Sequence, residues 1–153
     1  MNNLKINIPD GFVVDKFDTK TGEIFFKTKP LNIKERLKTF NDVLGCHNLS
    51  QKEFDHHCEG LTPDEIGYRK EKLIVAAYNE GITPDFTDGT NKYYPLFKIG
   101  SPSGVGVSFH DYDGWGTGSS VGARLVFCGP DAKSNMLDAV EKFLTEYKES
   151  RTT

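Results

Sequence analysis

The sequence predicts an α+β fold with an N-terminal β-hairpin, a helical middle and an antiparallel three-stranded meander packed by a C-terminal helix. Two kinds of periodicity indicate this class. Apolar residues alternate near the N-terminus and between residues 93 and 128, and they recur at helical spacing between residues 33 and 80 and after residue 130. The loops between the later β-segments are too short for a crossover helix, so antiparallel pairing is expected.

The chain of 153 residues fits one domain, and no repeat or Pro/Ser-rich linker divides it. A single domain over residues 1–153 is therefore predicted, with 11 Phe and 6 Tyr supplying much of the core volume. The loop Ile82–Asn91 is the place where a subdivision would fall. It would separate a hairpin and its helices (1–81) from a β-β-β-α unit (91–149).

The hairpin is predicted from two β-rich runs, Phe12–Phe17 and Glu23–Lys27. Between them lies Asp18-Thr19-Lys20-Thr21-Gly22, where Gly22 is able to take the positive φ that a short hairpin loop needs. Pro30 ends the second strand.

Capping residues mark the starts of the helices that follow. Asn32 caps a helix that Gly45 ends, Ser50 and Glu53 fit a capping box, and Thr62-Pro63-Asp64-Glu65 combines an N-cap, a proline in the first turn and a return bond from the glutamate. The expected helices are 33–44, 51–60 and 63–80, the last with an apolar stripe of core type.

Three β-segments and a last helix complete the prediction. The segments are Tyr93–Ile99, Val105–Tyr112 and Val121–Cys128. Pro95 has no N–H, so the first segment is expected to be an edge strand or to break there. A helix after Gly129-Pro130 presents one apolar face, which is expected to pack across the sheet.

Charge and composition exclude some functions. The formal net charge is −3, from 22 acidic and 19 basic residues spread along the chain, which argues against electrostatically driven nucleic-acid binding. No window has the apolar length of a membrane span or a signal peptide, so a cytoplasmic location is expected. Cys46, Cys58 and Cys128 are an odd set, which favours free thiols over disulfides.

Two clusters carry residues of metal-ligand or acid–base type. Cys46-His47 and His56-His57-Cys58 offer Cys and His, but the residues within each group are adjacent, whereas zinc ligands are typically spaced by a few residues. The alternative is a helix end with a buried Cys and solvated His. No metal site and no cofactor are therefore predicted.

The second cluster is His110, Asp111 and Asp113, where a β-segment meets a Gly-rich loop. A His beside two carboxylates is able to do acid–base work or hold a divalent cation. Alternation, however, puts His110 and Asp111 on opposite sheet faces, and each aspartate is equally suited to a turn. No catalytic residue is predicted.

The loop Gly114-Trp115-Gly116-Thr117-Gly118 resembles a phosphate-binding loop only in its glycines, because a strand rather than a helix follows it. Its tryptophan either folds back onto the sheet or stays available to a partner. Both alternatives stay open at this stage.

An aromatic and cationic binding surface is predicted on the meander. Exposed Tyr, Trp and Arg are favoured anchors at protein interfaces, and the same rings are able to stack on bases. The predicted binding residues are Tyr93, Tyr94, His110, Tyr112, Trp115 and Arg124.

The blocks Ala76–Phe86, Lys92–Phe97, Ser108–Asp113 and Ser120–Phe127 resemble a group of small uncharacterised proteins encoded by bacteriophages and prophages of gut bacteria. The resemblance covers about half of the chain, from Leu73 to Tyr147, and the Tyr-Tyr-Pro and Tyr-Asp blocks carry it. It implies an accessory phage protein made in an infected cell, and it implies no activity.

The function predicted from these features is a non-enzymatic binding module whose partner is a host or phage protein. The alternatives are a single-stranded nucleic-acid or nucleotide binder that uses aromatic stacking, and a small metal-dependent enzyme. A homo-oligomer is also open, since the N-terminal hairpin is able either to join the main sheet or to swap to another subunit.

Overall fold

The computed structural model describes residues 5–100, 106–116 and 125–151, and they form an α+β structure with two two-stranded antiparallel sheets. The chain divides into two compact units, Met1–Asn32 and Ile33–Thr153. Its elements are β1 (Phe12–Phe17), β2 (Ile24–Thr28), α1 (Ile33–Arg36), α2 (Phe40–Cys46), α3 (Gln51–His57), α4 (Pro63–Tyr78), β3 (Lys92–Ile99), β4 (Val107–Trp115), α5 (Ala132–Lys142) and α6 (Leu144–Glu149).

The N-terminal unit is the predicted β1–β2 hairpin, which the structure confirms. Its loop is held by Asp18, whose carboxylate accepts the backbone N–H groups of Lys20 and Thr21 at 2.8 and 3.3 Å. Gly22 has a φ of 77°, as the turn requires. One extra residue, Asp15, makes a β-bulge in β1 between the pairs Val14↔Phe26 and Lys16↔Phe25.

Capping boxes start the helices of the middle. Ser50 Oγ and the backbone N–H of Ser50 both donate to the Glu53 carboxylate, at 2.7 and 2.8 Å, and Thr62 bonds to Glu65 in the same way. The first predicted helix is divided into α1 and α2, because Thr39 forms a further capping box with Asp42 and begins a new helix. Within the part of the chain that the structure describes, no helix has both the length and the apolar character to cross a membrane.

The predicted three-stranded meander is wrong. Of the three predicted segments, the first two pair as β3 and β4. Among the described residues of the third, Phe127 makes one isolated bridge, to Tyr93 of β3 rather than to β4. On the other side of this segment a side chain replaces a strand, since Asn79 Nδ2 donates to Val126 O at 2.9 Å and Cys128 N donates to Asn79 Oδ1 at 3.0 Å. The rest of that segment, residues 121–124, lies outside the described residues.

The main core of the second unit lies where α4, α5 and α6 meet the β3–β4 sheet, and α5 packs on β3 as predicted. Strand β3 runs through Pro95 without a break. Large side chains with at most 2 % exposure fill this core, among them Tyr78, Phe127, Met136, Phe143 and Tyr147. A smaller apolar cluster of Leu44, Phe54 and Cys58 lies between α2 and α3.

Candidate functional site

The two faces of the β3–β4 sheet have different surroundings, and the predicted binding residues are divided between them. Tyr93 and Tyr112 pack against the core, with ring centroids 6.0 Å apart in an edge-to-face arrangement. Tyr94, the next residue in β3, points to the opposite side, where its hydroxyl donates to Asp113 at 3.3 Å. The predicted tyrosines therefore do not share one surface.

The remaining predicted binding residues lie on or beyond β4. His110 is the extra residue of a β-bulge, between the pairs Leu96↔Asp111 and Phe97↔Phe109, and it is exposed. Trp115 is the last residue of β4, so this strand extends into the predicted Gly-rich loop, although the indole is outside the described part of the structure. Arg124 also lies outside the described residues.

Neither predicted cluster of His, Cys and Asp forms a metal-binding geometry. Among residues 5–100, 106–116 and 125–151, no three His, Cys, Asp or Glu side chains come together in a group able to hold an ion. Asp111 and Asp113 each accept the N–H of the following residue, at 2.8 and 2.7 Å. His47 Nε2 bonds to Leu73 O at 2.9 Å, and Cys58 is buried in the small apolar cluster.

A groove of about 500 Å³, here called the sheet groove, is lined by residues of β3, of α4 and of the segment that follows α6. Two of its side chains are well exposed, Tyr68 of α4 at 51 % and Leu96 of β3 at 39 %. The groove is lined by Tyr68, Glu71, Tyr94, Pro95, Leu96, Leu125, Ser150 and Arg151. Aromatic, aliphatic and cationic groups thus face a concave surface, a combination that suits binding of a protein segment.

An ion pair between the buried Glu71 and the partly exposed Arg151 forms part of this groove. Arg151 donates two hydrogen bonds to the carboxylate of Glu71, at 2.8 and 3.1 Å, and Ser150 Oγ donates to the same carboxylate at 2.9 Å. The Arg151 guanidinium also lies 4.2 Å from the centre of the Phe97 ring. Such a two-bond pair is geometrically specific, so it holds the guanidinium in a defined orientation at the groove.

Sequence reasoning missed these residues because no local pattern connects them. Glu71 and Arg151 are 80 positions apart. Glu71 is an acidic residue in a helix rich in charged residues, and only its 6 % exposure distinguishes it from its neighbours. A usable signal was present at Tyr68, because a tyrosine on the polar side of an amphipathic helix is a candidate contact residue.

A second groove of about 700 Å³, here called the helix groove, lies between α3 and α4. Tyr68 and Ser150 line both grooves, so the two meet at these side chains. The other lining residues are the apolar Leu49, Phe54, Leu61 and Leu73 and the polar His57, Asp64, Glu65, Arg69 and Lys72. The helix groove thus has apolar side chains together with charges of both signs.

The inner aromatic pair has its own small cavity of about 330 Å³, lined by Tyr93, Pro130, Asp131, Lys133, Ser134 and Leu137. Lys133 Nζ lies 4.6 Å from the centre of the Tyr112 ring. Contact with the Tyr112 side chain raises the pKa of Lys133 above its ordinary value. Since one ring face of Tyr112 already carries this ammonium group, that face is not open for stacking on a base.

The pKa of Tyr94 is also raised above its ordinary value, first by burial and then by the nearby Asp113 carboxylate. Because its single O–H already donates to Asp113, Tyr94 offers its ring, and not a free donor, to the sheet groove.

Comparisons with known proteins supply no relative for this chain, since no protein-family model, no curated protein and no solved structure matches it.

Proposed function

We propose that the protein is a non-enzymatic binding module that holds a segment of a partner protein in the sheet groove and in the adjoining helix groove. The observation that carries this proposal is the exposed pair Tyr68 and Leu96 on either side of a groove of about 500 Å³ that also contains Arg151. Tyrosine and arginine are enriched among the residues that dominate interface energies.

The lining of the two grooves is compatible with an extended or a helical segment as the bound element. They meet at Tyr68 and Ser150, and together they offer apolar surface with charged groups beside it. Apolar contacts supply most of the affinity in such a groove, whereas surrounding charges select among partners. Arg69 and Lys72 beside Asp64 and Glu65 give the helix groove charges of both signs.

The contact residues of this proposal differ in part from those predicted on the aromatic surface. Tyr94 is retained, and Tyr68, Leu96 and Arg151 are added. Tyr93 and Tyr112 instead support the sheet through their packing against the core. A role of Trp115 and Arg124 as contact residues of the same unit stays a prediction.

The experiment compares two leucines of almost equal exposure on different surfaces. Leu96, at 39 %, lines the sheet groove, whereas Leu137, at 38 %, lines the small inner cavity. Tagged wild type, Leu96→Asp and Leu137→Asp are used to capture partners from a lysate of infected gut bacteria, and each captured protein is quantified by mass spectrometry. Leu96→Asp is expected to lose the partner by about tenfold or more, because a charge replaces an apolar anchor.

The Leu137→Asp variant is expected to retain the partner, and circular dichroism checks that both variants are folded. The same capture is carried out with Tyr68→Ala. If Leu96→Asp and Tyr68→Ala both capture as much partner as wild type, the proposal is contradicted. Loss of the partner with Leu137→Asp but not with Leu96→Asp would indicate that the binding surface lies at the small inner cavity beside Tyr93.

The nucleotide or single-stranded nucleic-acid binder has one observation in its favour, the combination of Tyr93, Lys133 and Ser134 around the small inner cavity. The contact between Lys133 and Tyr112 and the net charge of −3 count against it. Binding of an oligonucleotide that weakens steeply with added salt would favour this function over the proposed one. The other alternative, a small metal-dependent enzyme, stays a prediction, and no observation on the described residues favours it.

A further inference from the structure

The helix groove is built by the second compact unit alone. Every residue that lines it belongs to Ile33–Thr153, so its shape and its charges are properties of that unit. Its four acidic and basic side chains all come from one helix, α4, and they are Asp64, Glu65, Arg69 and Lys72. Their local partners decide which charge the groove presents to a ligand.

The two acidic side chains are compensated at the start of α4. Glu65 accepts hydrogen bonds from the backbone N–H and from the Oγ of Thr62, at 2.8 and 3.0 Å. Asp64 lies in the same first turn. The positive end of the helix dipole stabilises negative charge at this place. The molecule itself therefore offsets a large part of this negative charge.

The two basic side chains of the groove have no such compensation. Arg69 and Lys72 are exposed, and within the described ranges of the chain neither side chain makes an ion pair or a hydrogen bond. The residue four positions before Arg69 is Glu65, the usual place of an ion-pair partner on a helix, but Thr62 already binds that carboxylate. Lys72 has no acidic residue three or four positions away.

Neighbouring charged residues of α4 do have partners. Lys70 pairs with Glu149 of α6 at 2.6 Å, and Glu71 pairs with Arg151 at 2.8 Å. Both pairs join α4 to α6 or to the residues that follow it, and α4 packs against α6. The uncompensated positive charge of α4 is therefore located at the helix groove, beside apolar side chains.

We propose that the segment bound in the helix groove is acidic and amphipathic. The inference rests on the proposed function, which places a segment of a partner protein in this groove, and it adds the chemistry of that segment. Apolar side chains of the segment contact the apolar lining, which is Leu49, Phe54, Leu61 and Leu73. Its carboxylates bind Arg69, which is able to form two parallel bonds with one carboxylate, and Lys72, which acts as a point charge.

The lining favours an acidic protein segment over a nucleic acid, the other polyanion that two free cations could attract. Proteins that bind single strands combine a long basic surface with rings on which successive bases stack. Here two cations lie beside a lining in which Leu49, Leu61 and Leu73 are aliphatic. Aliphatic side chains match the apolar side of an amphipathic peptide.

Selection from a random library of peptides about twelve residues long tests the inference on the full chain. The baits are wild type, the double variant Arg69→Gln/Lys72→Gln and the control Lys38→Gln/Lys52→Gln. Lys38 and Lys52 are exposed and do not line the helix groove, so both double variants remove two positive charges but only the first changes the groove. Glutamine has a helix propensity close to that of arginine and lysine, and circular dichroism checks that each bait is folded.

Wild type and the Lys38→Gln/Lys52→Gln control are expected to select peptides that combine apolar residues with an excess of Asp and Glu. This excess should disappear with Arg69→Gln/Lys72→Gln. A labelled acidic peptide from the selection is expected to bind that variant about five- to tenfold more weakly than wild type, because each exposed ion pair contributes modestly. Fluorescence anisotropy measures the affinities, and added salt should reduce the difference between them.

Enriched peptides without an excess of acids would overturn this inference and leave the proposed function in place. A selection that enriches no peptide would contradict the proposed function as well. The inference would also be wrong if the Lys38→Gln/Lys52→Gln control lost the acidic peptides to the same extent, because net charge alone would then explain the selection. Binding of a thymidine oligonucleotide that requires Arg69 and Lys72, without selection of acidic peptides, would assign the two cations to a nucleic acid instead.

Discussion

Lys92 is the most deeply buried charged side chain among the described residues, with 1 % exposure at the start of β3. Its ammonium group is paired with the Asp88 carboxylate and also donates to Thr90 O and Thr90 Oγ1, at 2.9 and 3.1 Å. A buried ammonium group is tolerated only when its donors are used in this way. The loop before β3 therefore has a structural role, because its Asp88 and Thr90 supply the partners of the buried Lys92 ammonium group.

Asp88 should make the stability of the protein depend on pH in the acid range. Hydrogen bonding from Lys92, and next from Thr90, lowers the pKa of Asp88 from 3.8 to about 2. Because the folded state has the lower pKa, the stabilisation is complete above about pH 4 and is lost as the pH falls towards 2. Urea denaturation of wild type at several pH values is expected to show this loss.

Asp88→Asn is expected to lower the urea midpoint at pH 7 and to reduce the change between pH 4 and 2. Asp85→Asn is the matched control, because Asp85 bonds to Thr87 in a similar turn but has no ion pair with a lysine in the described structure. It should affect the midpoint less. Equal effects of the two substitutions would show that the pair with Lys92 contributes no more than an ordinary turn.

Packing between α4 and α6 depends on the absence of a side chain at Gly67. A Cβ atom at this position would lie 2.3 Å from the Ser150 backbone N and 2.6 Å from the Glu149 backbone C. These are backbone atoms, so the two helices would have to separate. The same contact brings Ser150 and Arg151 to Glu71, and the sheet groove therefore depends on it.

Gly67→Ala is expected to destabilise the protein by roughly 1–3 kcal/mol, because the cost of overpacking exceeds the gain in helix propensity. Gly45→Ala is the control. Gly45 also lies in a helix, but a Cβ atom there meets nothing within 4 Å, so this substitution should stabilise by about 0.5–1 kcal/mol. Thermal or urea unfolding measures both, and a stabilising Gly67→Ala would mean that α6 moves away from α4 at little cost.

At the scale of the whole molecule, the two units differ in how they are held together. Both apolar core clusters draw their buried residues from Ile33–Thr153. In the described part of Met1–Asn32, by contrast, the apolar side chains of the hairpin are largely exposed. Because apolar burial is the main source of folding free energy, the hairpin should open more easily than the larger unit.

Amide hydrogen exchange at low protein concentration is the measurement for this difference. Lys29 N and Phe143 N donate backbone bonds of nearly equal length, to Gly11 O at 2.8 Å and to Ala139 O at 2.9 Å. The protection factor of Lys29 is expected to be at least about 100-fold smaller than that of Phe143. Equal protection of the two amides would contradict this difference in stability.

What the sequence by itself determined is the set of features whose contacts are local. The turn at Asp18 to Gly22, the capping boxes at Ser50 and Thr62 and the start of α4 each involve residues within five positions of one another, so a short stretch of chain contains the whole interaction. The α+β class followed from periodicity in the same way. The break between α1 and α2 is also local, since the capping box of Thr39 and Asp42 lies within four residues.

Only the tertiary structure decided which surfaces these elements build. Phe127 pairs with Tyr93, and the other edge of this segment is bonded to Asn79, 47 positions before Val126. Tyr94 is separated from Tyr93 by the alternation of β3. The sheet groove depends on Glu71 meeting Arg151 across 80 positions. Contacts over such distances depend on how all elements pack together, and the free energy that selects them belongs to no single stretch of sequence.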